Sequence, residues 1–413
     1  MNRYIATLLL FCAFPSLNLR ALDLNQLIPG LYSRNGNGFD GTPGIRVGST
    51  NGHEAHFSFG SAVALRGLNE QLGKDFAVFP FNSAVGAFNF TFDPELGNFV
   101  SATDTLGPLF AERGQTLGEK NLNLGFAFTF FHYDTFNGQS LDNYHVGAKH
   151  LPGSFPGGNP NEIDPGTYEE DTLDIRLKVD AAVKIYSFTA NYGVTERLEV
   201  GLLVPMVDVD LNVHSRWSSI VSPNNPTPGI HTTDPAQGAE PQNDRVHGSA
   251  FGPGDLLLRS KYQFLREKPV DLAIAVIGKL ATGDEANFLG SGDTRVRPLI
   301  AASRRFSDVF GKPLSVTPHV NIGYELNVDD SRRNSVEYAV GVEGGAQRVT
   351  VALDFLGSRR DDDGQHRAAV SLGAKWNVWK RLILSANLIT PLNDEGLRSD
   401  LITTLGAEYS FKF

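Results

Sequence analysis

From Ser399 to Phe413, apolar and polar positions alternate almost without fault. Leu401, Thr403, Leu405, Ala407, Tyr409, Phe411 and Phe413 take every second place, and Asp400, Thr404, Gly406, Glu408, Ser410 and Lys412 fall between them, with Ile402 the exception. A period of two puts the two sets on opposite faces of a β-strand, one apolar and one wet. The closing aromatics Tyr409, Phe411 and Phe413 suit the lipid interface of a membrane barrel. On this segment alone, an edge strand of a soluble sandwich is the competing reading.

The same alternation recurs from Asn121 onward, in segments that begin at Asn121, Leu173, Leu198, Leu256, Leu272, Thr294, Leu314, Val336, Val349, Ala368 and Leu382. With the last strand they make twelve, each near the roughly 9–11 residues that a tilted strand needs to cross a bilayer. An even number is what a single-chain bacterial barrel requires. In the segment starting at Leu198 the phase flips near Pro205, which predicts a β-bulge. Thr294–Phe306 is the weakest segment, because Arg304 interrupts its apolar face. Pro298 and Pro318 are misfits, since proline donates nothing to a sheet ladder.

Connection lengths sort by side. If Phe413 ends on the periplasmic side, the turns there are 377–380, 345–347, 307–313, 266–269 and 193–196, all brief. The opposite connections are 137–170, 216–253, 282–293, 329–334, 358–366 and 391–397, and both very long ones fall on that outer side. Aromatics sit where two girdles belong: Trp376, Trp379, Tyr409 and Phe411 at the periplasmic ends, and Phe130, Tyr324, Tyr338 and Phe355 at the outer ends.

The chain starts differently. Met1-Asn2-Arg3, an apolar run from Tyr4 to Phe14 and Ala21 before Asp23 read as a signal peptide over residues 1–21, with Leu19 in place of the usual small residue three before the cut. The one cysteine, Cys12, lies inside it, so the mature chain is expected to form no disulfide. Residues 22–120 form a separate N-terminal segment. Its start is rich in Gly and Asn, Ala62, Leu65, Leu68 and Leu72 fall at helical spacing, and Phe88–Phe92 and Phe99–Ala102 flank a hairpin turn. This segment is expected either to add two wall strands, making fourteen, or to plug or line the periplasmic mouth. The barrel proper is residues 121–413.

A net charge of −10 argues against nucleic acid as a partner. No stretch reaches the roughly 18–20 apolar residues of a spanning helix, so an exported, strand-patterned chain has a closed barrel as its membrane solution. The motifs that tempt mostly fail. Gly36, Gly38 and Gly41 match a nucleotide-binding glycine pattern without the strand before or the helix after. His53-Glu54-Ala55-His56 is one residue short of the zinc-protease spacing, and no serine elbow occurs. Asp284, Glu285, Asn287 and Asp293 are oxygen ligands in an outer loop, which reads as solvated rather than as a calcium site. No cofactor and no metal are implied.

The remaining chemistry faces the lumen. Arg176, Lys178, Lys184, Arg259, Lys261, Lys279, Arg295 and Arg297 are expected to point inward from neighbouring strands, and Glu325, Glu337, Glu343 and Asp354 from the next strands round the wall. Two readings stay open: a field across a conducting pore, or a charge ladder that fills and stiffens a narrow barrel.

Several segments resemble the family of proteobacterial outer-membrane barrels named for the meta-pathway of phenol degradation. These are Tyr192-Gly193-Val194-Thr195-Glu196-Arg197-Leu198-Glu199-Val200-Gly201, Gly252-Pro253-Gly254-Asp255-Leu256 leading to Lys261-Tyr262, Leu280-Ala281-Thr282-Gly283-Asp284 and Asn321-Ile322-Gly323-Tyr324. The family usually has proline where this chain has Ala281. The likeness spans Asn121–Phe413 and implies passive uptake of small, including aromatic, compounds.

The chain therefore reads as an all-β transmembrane barrel of about twelve strands in a Gram-negative outer membrane, a channel or passive transporter for small solutes. The lipid bilayer and the outer-membrane assembly machinery are its expected partners, the latter through Tyr409, Phe411 and Phe413. The rivals are an outer-membrane phospholipase, for which His319 is expected to face the wrong way, and a structural or adhesive barrel.

Overall fold

The computed structural model describes residues 23–31, 67–69, 71–73, 90–93, 98–101, 106–107, 110–149, 172–220, 242–266, 269–346 and 348–413. The signal-peptide reading, the Gly36–Gly41 pattern and the His53–His56 motif lie outside these residues.

Among the described residues, twelve antiparallel strands make the wall: β1 (Asn121–Tyr133), β2 (Thr172–Gly193), β3 (Leu198–Ile220), β4 (Leu256–Leu265), β5 (Asp271–Leu280), β6 (Arg295–Ser303), β7 (Ser315–Asn327), β8 (Ser335–Ala346), β9 (Val349–Arg360), β10 (His366–Trp379), β11 (Leu382–Pro391) and β12 (Ile402–Lys412). Each pairs with its neighbour in sequence, and β12 returns to β1 from Thr403↔Phe130 to Lys412↔Asn121. The wall is closed and has no free edge. The hairpin of Phe90–Asp93 with Asn98–Ser101 forms its own two-stranded sheet and adds nothing to the ring.

Alternation has the physical result expected of a lipid-facing wall. Phe126, Leu202, Leu258, Ile274, Ile322, Val340, Leu353, Leu372 and Leu405 stand exposed outside, while Asn123, Glu199, Lys261, Asn321, Glu343, Asp354, Ser371 and Thr404 are buried inside. Trp376 and Trp379 are exposed beside the rim of short turns, and Phe130 and Phe355 are exposed nearer the rim of long loops. Proline is tolerated locally. Pairing of β6 with β7 lapses between Val296 and Leu299 at Pro298, and the Pro318 carbonyl accepts from Arg304 N at 3.2 Å.

β2 and β3 are far longer than a bilayer crossing requires. Their register runs unbroken from Gly193↔Glu199 to Thr172↔Ile220, so there is no bulge at Pro205. What changes there is the solvent. Toward the short-turn rim, the inner face carries Ser187, Thr189 and Asn191, and the outer face carries Phe188 and Tyr192. Beyond that point Ile175, Leu177, Val179, Ala181, Val183 and Ile185 are buried inside, and charged residues take the outer face. The expectation for Arg176, Lys178 and Lys184 is thus corrected. All three lie on the outside of this extension, paired with Asp174 (3.1 Å), Asp142 (2.7 Å) and Asp208 (3.1 Å). Alternation marks which residues share a face; which face is inside depends on whether lipid or water lies outside.

The extension is broadened by Tyr144–Lys149, paired to β2, and Gln242–Pro253, paired to β3. The one-residue irregularity sits where Gln242–Pro253 passes into β4 at Gly254-Asp255, since Pro253 faces Met206 but Leu257 faces Leu203. Inside the extension, the helical turns Leu24–Gln26 and Leu27–Gly30 bury Leu24, Leu27 and Ile28 against its apolar face, together with Leu68 and Leu72. Gly248 lies at this contact, where a side chain would press on the ends of the Leu24 and Leu27 side chains. This is a water-soluble type of core on top of a membrane wall.

Candidate functional site

A strap of residues 106–107 and 110–120 crosses the inside of the wall near the short-turn rim. It is held by lumen side chains in succession. Leu106 N donates to Thr350 Oγ1 (2.7 Å), Phe110 N to Asp354 Oδ2 (3.3 Å), Glu112 N to Asn321 Oδ1 (2.6 Å), Gly114 N to Ser303 Oγ (3.0 Å) and Leu117 N to Glu199 Oε2 (2.6 Å). The strap therefore runs from β9 past β7 and β6 to β3, then joins β1 through Lys120 N on the Gly193 carbonyl at 2.8 Å. Gly193 seats it closely, since any side chain there would strike the Gly118 carbonyl. The polar inner face of the wall satisfies a backbone that has no strand partner of its own.

Charge fixes the strap further. Glu112 meets Arg259 at 2.5 Å and Lys261 at 3.3 Å, and Glu199 meets the same two cations at 2.6 and 3.2 Å. Arg113 pairs with Glu343. Burial pushes the Glu112 carboxyl up, but Arg259 and Lys261 outweigh it and hold the group below the ordinary carboxylate value. Two acids and two bases in one buried quartet compensate each other, which an isolated buried charge would lack.

Beside the strap lies a cavity of about 360 Å³. One part of its lining is apolar: Phe131, Tyr133, Ala368, Ile389, Leu397 and Ile402. Another is charged, with the cations Arg259, Lys279, Arg295, Arg297, Arg367 and Arg398 and the acids Glu112, Glu325 and Glu337. Arg295 is tied to Glu325 at 2.8 Å and to Asp293 at 3.3 Å, and Lys279 to Asp255 at 3.5 Å and to the Ser291 hydroxyl. The cationic and acidic walls read from the sequence are interleaved rather than set apart. The arrangement can hold a small solute with an apolar body and a polar group.

No protein-family model matches the chain, and no curated protein sequence matches it. Solved structures do. An outer membrane channel from Pseudomonas putida F1 aligns at TM-score 0.40 and 15% identity over 72% of this chain and 97% of that one. The Ralstonia pickettii toluene transporter TbuX aligns at 0.34 and 11% over 71% and 90%, and the CymD monoaromatic hydrocarbon channel at 0.32 and 12% over 72% and 90%. Likeness at this level leaves the function to be read from the site itself.

Of the residues singled out in the sequence, Arg259, Lys261, Lys279, Arg295, Arg297, Glu325, Glu337, Glu343 and Asp354 are on the inner side of the wall, in the strap's contacts or the cavity. Asp354 accepts from His319 Nε2 at 2.7 Å, and His319 Nδ1 lies 3.3 Å from the Thr317 carbonyl, so this histidine is engaged inside the barrel. Tyr409 and Phe411 pack ring against ring at 4.8 Å on the outer face, and Phe413 N donates to the Lys120 carbonyl at 3.0 Å. In the loop at 283–293, Asp284 accepts from Ala286 N and Asn287, and Asp293 is held by Arg295 and Arg333, so these oxygens serve the turn. Sequence reading missed Glu112, Arg113 and Glu199 as partners, and also the buried pair Lys375–Glu408 at 3.4 Å. Glu199, Lys375 and Glu408 sit on polar faces and were open to selection by phase. Glu112 and Arg113 lie in a segment without alternation, where no periodic signal exists.

Proposed function

We propose that the protein is a passive outer-membrane channel for small solutes with an apolar, including aromatic, body. The observation that carries this reading is the mixed cavity, enclosed by a closed wall whose outside is apolar. The bilayer surrounds the wall, the rim of short turns faces the periplasm, and the long loops face outward. Arg259, Lys261, Lys279, Arg295, Arg297, Glu325, Glu337, Glu343 and Asp354 line or brace the path. Tyr409, Phe411 and Phe413 serve as the assembly signal, and the strap acts as a plug toward the periplasm. A cavity of a few hundred Å³ with a few converging polar groups is the usual form of a small-molecule site.

The test is flux. Proteoliposomes containing the purified barrel should take up small aromatic solutes faster than protein-free vesicles, and planar bilayers should show discrete conductance steps. Absence of both flux and conductance from folded protein overturns the reading.

A further inference from the structure

The cavity is cationic in a protein whose net charge is −10: its lining carries six cations against three acids. Arg259, Lys279 and Arg295 each lie within 3.5 Å of a carboxylate. Arg297 is held loosely. Its guanidinium stands 4.0 Å from both Glu325 and Glu337, its side chain is 31% exposed, and its Nε has no hydrogen-bond partner among the described residues. The neighbouring Arg295 Nε also lacks one. A smaller recess of about 80 Å³, also bounded by Arg295 and Arg367, adds Arg333 and Arg360 on the same side. Apolar lining stands beside it: Ile277 faces Arg297 across the ladder and is half-buried, and Leu299 follows two residues on along the same face of β6.

We propose that this cavity selects small monocarboxylates, aromatic or short aliphatic acids, with the carboxylate on Arg297 and the apolar body against Ile277 and Leu299. The proposal rests on the channel reading above and names its solute class. A planar guanidinium matches a carboxylate in a two-pronged, charge-assisted geometry. A neutral hydrocarbon would leave buried donors unsatisfied, which costs affinity. A cationic solute would meet the excess of positive charge.

Benzoate and benzamide share shape and differ in charge, so they separate the cases. Titration calorimetry on the barrel in non-ionic detergent should show benzoate binding at least roughly tenfold more tightly than benzamide. Arg297→Gln should weaken benzoate by about that factor and leave benzamide unchanged, while Arg297→Lys falls between. Heat-modifiable migration checks that each variant is folded. Equal binding of the two solutes by the parent protein, or benzoate binding indifferent to Arg297→Gln, overturns the carboxylate site and leaves the channel standing. Absence of flux for both solutes in proteoliposomes of the parent protein overturns the channel reading itself.

Discussion

Arg259 on β4 grips Glu112 on the strap with two parallel hydrogen bonds, Nε to Oε1 at 2.9 Å and Nη2 to Oε2 at 2.5 Å, and each side chain is only 8% exposed. The contact joins a segment that precedes the wall to the wall itself.

Glu112→Gln should loosen the strap. It leaves Arg259 and Lys261 to share Glu199, and breaking one side of a buried pair costs about 3–5 kcal/mol. The expected outcome is a lower unfolding temperature together with larger single-channel conductance in planar bilayers. Lower stability with unchanged conductance would place the strap outside the conducting path.

Acid should act on the same latch. The Glu112 carboxyl is held below its ordinary value of 4.5, so its stabilising contribution is complete above that pH and drains away as pH falls through the lower folded value. Conductance of the parent protein should rise as pH drops below about 4.5, and Glu112→Gln should lose that rise. The readout is a pH series of bilayer recordings on both proteins.

Changing charge should separate the braces from the pore. Lys261 is fully buried between Glu112 and Glu199, so Lys261→Glu sets three carboxylates together and should abolish the heat-modifiable folded band. Arg297→Gln only removes a charge at the cavity, where it should shift reversal potentials toward cations and change the unfolding temperature by only a few degrees. The reason is that a charge near a permeating ion in a confined path is poorly screened.

Epitope placement tests the orientation. A tag inserted after Asp362, or within residues 223–241, should be labelled on intact cells, and one at Gly345 should not. Labelling in the reverse sense would invert the barrel.

Replacing Phe413 by Lys should reduce the folded protein in the outer membrane several-fold. Immunoblots of heated and unheated membranes measure this, and parental levels would remove Phe413 from the assembly signal.

The wall was legible because its physics is repetitive. Alternation at Leu353, Asp354 and Phe355 states which residues share a face, and the strand starts at Val349, Ala368 and Leu382 fall within a few residues of the structural ones. Two things were not legible. Alternation in β2 does not say that Ile175 to Ile185 face inward, because that depends on water outside the extension. Nor does it place Glu112, whose partners lie on β4 and β7 and are reached only once the ring has closed.

The inversion along β2 and β3 has a consequence for how the barrel sits in lipid. Lys184 faces Asp208 across the ladder, and Tyr186 faces Met206 two residues nearer the short-turn rim. Sinking the barrel by two residues, roughly 7 Å along the strand, would drag that ion pair into hydrocarbon, and raising it would lift Phe188 into water. The immersion depth is therefore set on this side by the chain and not by the lipid. Where the bilayer thickness does not suit, the lipid beside β2 and β3 must thin or thicken to meet the protein.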